Sequence, residues 1–266
     1  MSTRHAPDLV SDELLDLTRR LGAPERDLVI LAEGNTSELV GDEIVVKASG
    51  ASMRDADRSS FAAVDLAALA DLIDDPSGDQ EQLTRALEED GRGSTVRASI
   101  ETMVHVAVRM VSSVRFVAHT HPTPVLALLA SVRSETAFAE PVYSDELMVL
   151  GRPLHVPYAE PGLPLGRLFA RRLREHLDEW GEVPSLVLLG NHGIVAISQS
   201  VEGADAISAM AVKSARVRLG ALQAGGIRGL GEDATTHYFA RSDFADRRAA
   251  LSATAEAAQL QEGTAS

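Results

Sequence analysis

The sequence predicts an α/β layered domain, on three observations. Short apolar, β-like runs alternate with segments of helical periodicity, the pattern of strands covered by helices. Hydrophobic residues make up 45% of the chain and charged residues 24%, an ordinary globular balance. The length of 266 residues lies within what one core serves before chains tend to divide, roughly 250–300, so a single domain is expected over residues 1–266.

The elements follow in order. Ser11 is placed to cap a helix over 11–22, with Asp12 and Glu13 in its first turn. Leu14, Leu15, Leu17 and Leu21 give that helix an apolar stripe, and Gly22 with Pro24 ends it. TSEL at 36–39 and EIVVKA at 43–48, joined through Gly41-Asp42, read as a hairpin. From Val64 to Asp90 the text is helical and strongly acidic, broken at Asp74-Asp75-Pro76-Ser77-Gly78, and it reads as a solvated surface segment without chemistry. Helix is then expected at 98–112, strand at 115–120, helix at 122–131, a short strand near 154–157 and helix at 164–180. Strands at 185–190 and 194–198 precede a long helix over 202–223. Gly225, Gly226, Gly229 and Gly231 loosen the chain into a C-terminal extension from about 225, whose Ala-rich text predicts a last helix over 242–260 and a polar tail.

Charge and composition exclude some functions. A formal net charge of −14 argues against nucleic-acid binding, because phosphate affinity comes from clustered Lys and Arg. No apolar run approaches the ~20 residues that cross a bilayer. The chain has no cysteine, hence neither disulfides nor thiolate ligands, and MSTRHAPDLVSDELLD lacks a secretory pattern, so a cytoplasmic location is expected. An anionic small-molecule substrate would be held by a local site working against the overall field.

The chemistry points to the histidines. In FVAHTHP, residues 116–122, His119 and His121 stand at i and i+2, which on a strand share one face. Zinc needs three or four N, O or S donors, so two imidazoles are insufficient. His192, in LVLLGNHGIVAI between two β-like runs, is the best third donor, at a turn with little steric bulk. The competing reading makes all three loop-end surface histidines. Glu101, in RASIETMVHVAVRM, lies in the first turns of a helix that feeds the His119 strand. Beside a metal it would shuttle a proton; otherwise it is a helix-start glutamate placed by the dipole. His105, one turn later in a stripe with Ile100, Val104 and Val108, reads as a core histidine bonded to backbone. Two turns, Glu33 to Ser37 and Lys47 to Ser52, offer small residues and hydroxyls that suit an anion cradle, with Lys47 adding charge if it turns inward.

GNTS, VKASG, the helical E-x-x-x-H, HTHP and NHG, in that order and followed by a long helix with Glu202 near its start, resemble the class II aldolase/adducin family over about residues 10–222. The resemblance implies a three-layer α/β/α sandwich around a predominantly antiparallel sheet. It implies a homotetramer with sites at subunit boundaries, and a divalent metal, most often zinc, on His119, His121 and His192. Glu101 matches the acid/base carboxylate of the sugar-phosphate aldolases of fuculose and rhamnulose phosphate type, and Asn35, Ser49, Gly50 and Ser99 match their phosphate pocket, with Lys47 beside it. Ile100 stands where the fuculose-phosphate aldolases place a second serine. VKASG and PYAEPGLPLG look closer to the aldolase domain of bifunctional aldolase/short-chain dehydrogenase proteins. Tyr238 is a counterpart for the mobile tyrosine of the aldolases, with Tyr143 a second candidate. The implied activity is retro-aldol cleavage of a small, phosphorylated ketose through a metal-stabilised enediolate. Dehydration, decarboxylation and epimerisation of sugar or sugar-acid phosphates share that first step. A non-catalytic module like the adducin head would lack the ligand histidines.

Overall fold

Eight strands form one sheet in the order β1-β4-β3-β2-β5-β8-β7-β6, in a computed structural model that describes residues 3–88 and 96–244. The strands are β1 (Thr3–His5), β2 (Asn35–Val40), β3 (Glu43–Lys47), β4 (Phe61–Asp65), β5 (Phe116–Thr120), β6 (Leu154–Val156), β7 (Leu186–Leu189) and β8 (Gly193–Ser198). Every neighbouring pair is antiparallel except β6 with β7. The helices are α1 (Asp12–Leu21), α2 (Leu66–Asp74), α3 (Gln80–Leu87), α4 (Thr102–Arg109), α5 (Thr123–Leu129), α6 (Ser144–Leu150), α7 (Leu163–Trp180), α8 (Val201–Gln223) and α9 (Glu232–Phe239).

The central strands read as continuous apolar runs because both of their faces are covered. Alternation splits them between two cores. Phe116, Ala118, Leu186, Leu188, Ile194 and Ala196 pack on one side with Leu14 of α1, Val125 of α5, Leu150 of α6 and Ile207 of α8. Val117, Val187, Leu189, Val195 and Ile197 pack on the other with Leu69 of α2, Leu83 of α3, Met103 of α4 and Phe169 of α7. Leu14, Leu17 and Leu21 are each fully buried, worth about 1.5–3 kcal/mol apiece. The Ser11 side chain accepts from the Leu14 N–H, so this cap forms as its sequence position requires. This is the α/β/α sandwich on a mainly antiparallel sheet that the motifs imply.

Several expectations are corrected. The acidic stretch begins with a strand, since Phe61–Asp65 is β4, and its two helices bury Leu69, Ile73, Leu83 and Leu87. It is a covering layer whose other face is solvated. The 98–112 helix is shorter, Thr102–Arg109, because Ala98 pairs with Ala48 in a β-bridge instead. Short β1 and helix α6 were not foreseen, and α9 precedes the expected 242–260 helix, most of which falls outside the described residues. No described helix is long and apolar enough to cross a membrane.

Antiparallel pairing gathers the site. Asn35 opens β2 opposite His119 near the end of β5, and His119 faces Val195 just inside the start of β8. Three chain segments distant in sequence therefore meet at one end of the sheet.

Candidate metal centre

Two glycines make room at that end. Gly34 has φ +67°, and a Cβ there would lie 2.8 Å from the His119 carbonyl oxygen, so the chain passes against β5 only without a side chain. A Cβ on Gly193 would lie 2.5 Å from the Thr120 carbonyl oxygen and 2.7 Å from Cδ2 of His121. Between β7 and β8, Asn191 takes the left-handed conformation at φ 54°, which a short polar side chain tolerates, and the turn presents His192.

The imidazoles converge. His119 is fully buried, and its Nδ1–H donates to the Ile194 carbonyl at 2.8 Å, which directs Nε2 toward the other site residues. That Nε2 lies 3.0 Å from Nε2 of His121. Nε2 of His192 lies 2.8 Å from Oε1 of Glu101, and the same oxygen is 3.5 Å from Nε2 of His119. One ligand atom from each of Glu101, His119, His121 and His192 fits within 4.8 Å of the others. Three imidazole nitrogens and a carboxylate oxygen are a donor set that suits zinc. Glu33, which the sequence marked only as the start of a turn, stands 3.7 Å from Nδ1 of His121.

Electrostatics fits cation binding. Burial would raise the Glu101 carboxyl, but the charges and hydrogen bonds of His119 and His192 outweigh it and hold the group ionised, well below the usual range. Burial lowers His119, yet Glu101 prevails and raises it; the carboxylate that favours a proton on this ring would equally favour a metal cation in the proton's place. Burial first and the His119 charge second push His121 down to about 3, so its ring is neutral and free to ligate at pH 7.

Glu101 occupies the N-cap position of α4 without capping it. Its second oxygen accepts from Nδ2 of Asn35 at 3.1 Å. The Ala48–Ala98 bridge sets the Ser49-Gly50 turn beside Ser99, and the Ser49 N–H donates to the Arg97 carbonyl at 2.8 Å. Gly50 is exposed at φ +79°, and the Ser99 hydroxyl accepts from the Glu101 N–H at 3.3 Å. Lys47 does turn inward: it is 1% exposed, and its ammonium donates to the carbonyls of Ala32, Ala48 and Ala51, binding the two cradle turns together. Burial lowers it to about 8, so it keeps its charge at neutral pH. Ile100 turns toward Gly162 at the start of α7.

Other expected residues lie elsewhere. His105 is fully buried but makes no backbone bond; its ring meets Ser37 and Asn35. Tyr238 stacks edge-on against Phe244, while Phe239 beside it lies over Arg152, which also stacks on Trp180. That places it at the far end of α7, whose 18 residues span about 27 Å from the end near Ile100. Within this chain Tyr238 and the histidines are apart. Tyr143 donates to the Met210 sulfur at 2.8 Å and faces α8.

Residues 12–219 match the Class II Aldolase and Adducin N-terminal domain. The fold is similar to the N-terminal class II aldolase domain of a conserved protein from Thermoplasma acidophilum, at 20% identity and TM-score 0.60, covering 78% of this chain and 92% of that one. It is similar to YgbL from Escherichia coli, a candidate aldolase/epimerase/decarboxylase, at 20% identity and TM-score 0.60, covering 85% and 96%. It is also similar to L-fuculose-1-phosphate aldolase from Thermus thermophilus, at 18% identity and TM-score 0.57, covering 82% and 100%. No curated protein matches in sequence. With the match spanning most of the chain and the three-layer fold shared, the chain belongs to the class II aldolase/adducin family.

Proposed function

We propose that the chain is a zinc-dependent lyase that cleaves a small, phosphorylated ketose by retro-aldol chemistry. The observation that carries this reading is the convergence of Glu101, His119, His121 and His192 within 4.8 Å. Retention of all three histidines favours an enzyme over an adducin-head-like binding module. His119, His121 and His192 would hold the ion, which would supply a Lewis acid for the negative charge that develops as the C3–C4 bond breaks. Cleavage takes a proton from the C4 hydroxyl and returns one to C3, the carbon that is nucleophilic in the synthetic direction; Glu101, ionised at rest, exchanges the proton at C3. Asn35 holds Glu101 through its amide and, with Ser49, Gly50 and Ser99, lines the phosphate pocket. Lys47 contributes charge to them, because its donors are spent on carbonyls.

Exposed Ile30, Leu31, Val132 and Tyr158 support burial against further copies of this chain, in keeping with a homotetramer. In such an assembly Tyr238 acts at a neighbouring subunit's site. A single domain of 1–266 in a cytoplasmic protein completes the reading.

Elemental analysis is expected to find one divalent metal per chain, lost in His119→Ala and His192→Ala. Metal-loaded protein should release dihydroxyacetone phosphate from a ketose phosphate, and Glu101→Gln should keep the metal while losing about 10²–10⁴-fold in turnover. Unchanged metal content in both histidine variants sinks the site. Carbon dioxide release or epimer formation with the same dependence on Glu101 would favour the second reading, for which the likeness to YgbL speaks.

A further inference from the structure

Behind Glu101 lies a file of buried polar side chains running away from the metal centre. Nδ2 of Asn35 donates to Oε2 of Glu101 at 3.1 Å, and its Oδ1 meets Nε2 of His105. Nδ1 of His105 lies 2.7 Å from the Ser37 hydroxyl, and Nη2 of Arg109 lies 3.4 Å from that same oxygen. Asn35, Ser37 and His105 are each 1% exposed or less, and Arg109 is 6% exposed. The two elements interleave by their own periods. Asn35 and Ser37 share one face of β2 at i and i+2, while Glu101, His105 and Arg109 follow one another by four along α4.

Donor and acceptor chemistry fixes the direction of every bond. An ionised Glu101 only accepts, so Asn35 turns its NH₂ toward it. The Asn35 oxygen then faces His105 and needs a donor, so Nε2 carries the proton. Nδ1 of the neutral ring is left as an acceptor and accepts from the Ser37 hydroxyl. The Ser37 oxygen in turn accepts from Arg109, which burial lowers to about 9, still cationic at neutral pH. All four bonds run from Arg109 toward Glu101. A polarised chain of this kind is stronger than its separate links.

We propose that His105 is a positioning residue for Glu101: by donating from Nε2 to Asn35 it locks the amide so that its NH₂ holds the carboxylate, and it does so without touching substrate or metal. This rests on the reading of Glu101 as the proton-moving group. Were the His105 proton on Nδ1, Asn35 would flip and set its oxygen against the carboxylate. Glu101 would then lose a charge-assisted bond and its fixed aim.

The first test needs no activity. Protein labelled with ¹⁵N-histidine, with the His105 signals assigned by their loss in His105→Gln, should show the His105 proton on Nε2; a proton on Nδ1 with Nε2 bare overturns the proposal. The second test follows hydrogen–deuterium exchange at the hydroxymethyl carbon of dihydroxyacetone phosphate in D₂O, with metal-loaded protein. There a base removes the proton to give the enediolate and returns deuterium to the same carbon. His105→Leu should lower the maximal exchange rate about 10- to 100-fold, the size of effects from groups that orient a site's own residues, with KM and metal content unchanged. His105→Gln, which offers an NH₂ to Asn35 and an oxygen to Ser37, should recover most of it. Equal rates in His105→Leu and wild type overturn the proposal, as does equal loss in Leu and Gln variants that both retain metal. Wild-type exchange in Glu101→Gln would instead sink the reading of Glu101, leaving the ¹⁵N result standing.

Discussion

Gly193→Ala adds one methyl group at the point where β8 begins, and the geometry says what it displaces. The new Cβ would sit 2.5 Å from the Thr120 carbonyl oxygen and 2.7 Å from Cδ2 of His121. Relief to ordinary contact, about 3.5 Å, requires movement of roughly 1 Å. The Thr120 carbonyl is backbone, in a residue paired with Ile194 between two buried strands, and it cannot give way alone. The softer response is rotation of the His121 ring, which takes a nitrogen away from His119 and so away from the metal. Overpacking of this sort costs about 1–3 kcal/mol, and the backbone contact places the variant toward the upper end. Urea unfolding of metal-free protein should show that loss, and calorimetric zinc titration should show affinity reduced at least 10-fold. A Gly193→Ala protein within about 0.5 kcal/mol of wild type that binds zinc with wild-type affinity would refute the reasoning, because no atom would then have moved. The requirement at Gly193 is one of space alone; its φ is not in the left-handed region.

Two further predictions concern buried charges. Lys47 is lowered by burial from 10.5 to about 8, so between these pH values the unfolded chain holds a proton that the folded one has released. Stability relative to Lys47→Met should therefore rise from pH 7 to pH 10, by at most about 3 kcal/mol; parallel urea midpoints for the two proteins across that range would count against it. Arg218, fully buried, pairs with Glu146 at 2.6 Å and also donates to the carbonyls of Ala137 and Glu140. Arg218→Met strands the Glu146 charge and should cost about 3–5 kcal/mol in urea unfolding, while Arg218→Met with Glu146→Leu should recover most of it. A loss under about 1 kcal/mol in the single variant contradicts the pair's role.

Much of the architecture was legible because the dominant signals are local. α1 follows from the Ser11 cap and a leucine stripe, and the observed helix starts and stops within a residue of the expected bounds. β7 and β8 stand out as apolar runs on either side of a glycine-flanked turn. The acidic 64–90 stretch misled, since helical composition and charge describe only the outer face of α2 and α3. Phe61–Asp65 is β-like on its own terms, but its partners, β3 and β1, are fixed by tertiary pairing. Length limits β1, three residues long, whose existence depends on the edge of β4.

The site divides along the same line. His119 and His121 announce themselves because i and i+2 on a strand is a statement about one face, and His192 because glycine leaves a turn open. Glu101 was placed by its position before the His119 strand, although its contact with His192 spans 91 residues of sequence. Asn35 was matched to phosphate, and its amide also holds Glu101; His105 was matched to backbone, and its ring meets side chains instead. Both of these contacts went unforeseen for one reason. Each residue was weighed within its own element, whereas Asn35 and Ser37 repeat by two on β2 and Glu101, His105 and Arg109 repeat by four on α4. Both spacings put polar groups on a single face of an otherwise apolar element. Two such faces in a protein that buries both sides of its sheet must find each other or leave several polar groups unsatisfied at about 1–3 kcal/mol each. The pairing of those rows was thus available from periodicity and hydrogen-bond accounting together, and it is the step by which the folded core specifies the orientation of the carboxylate at the metal centre.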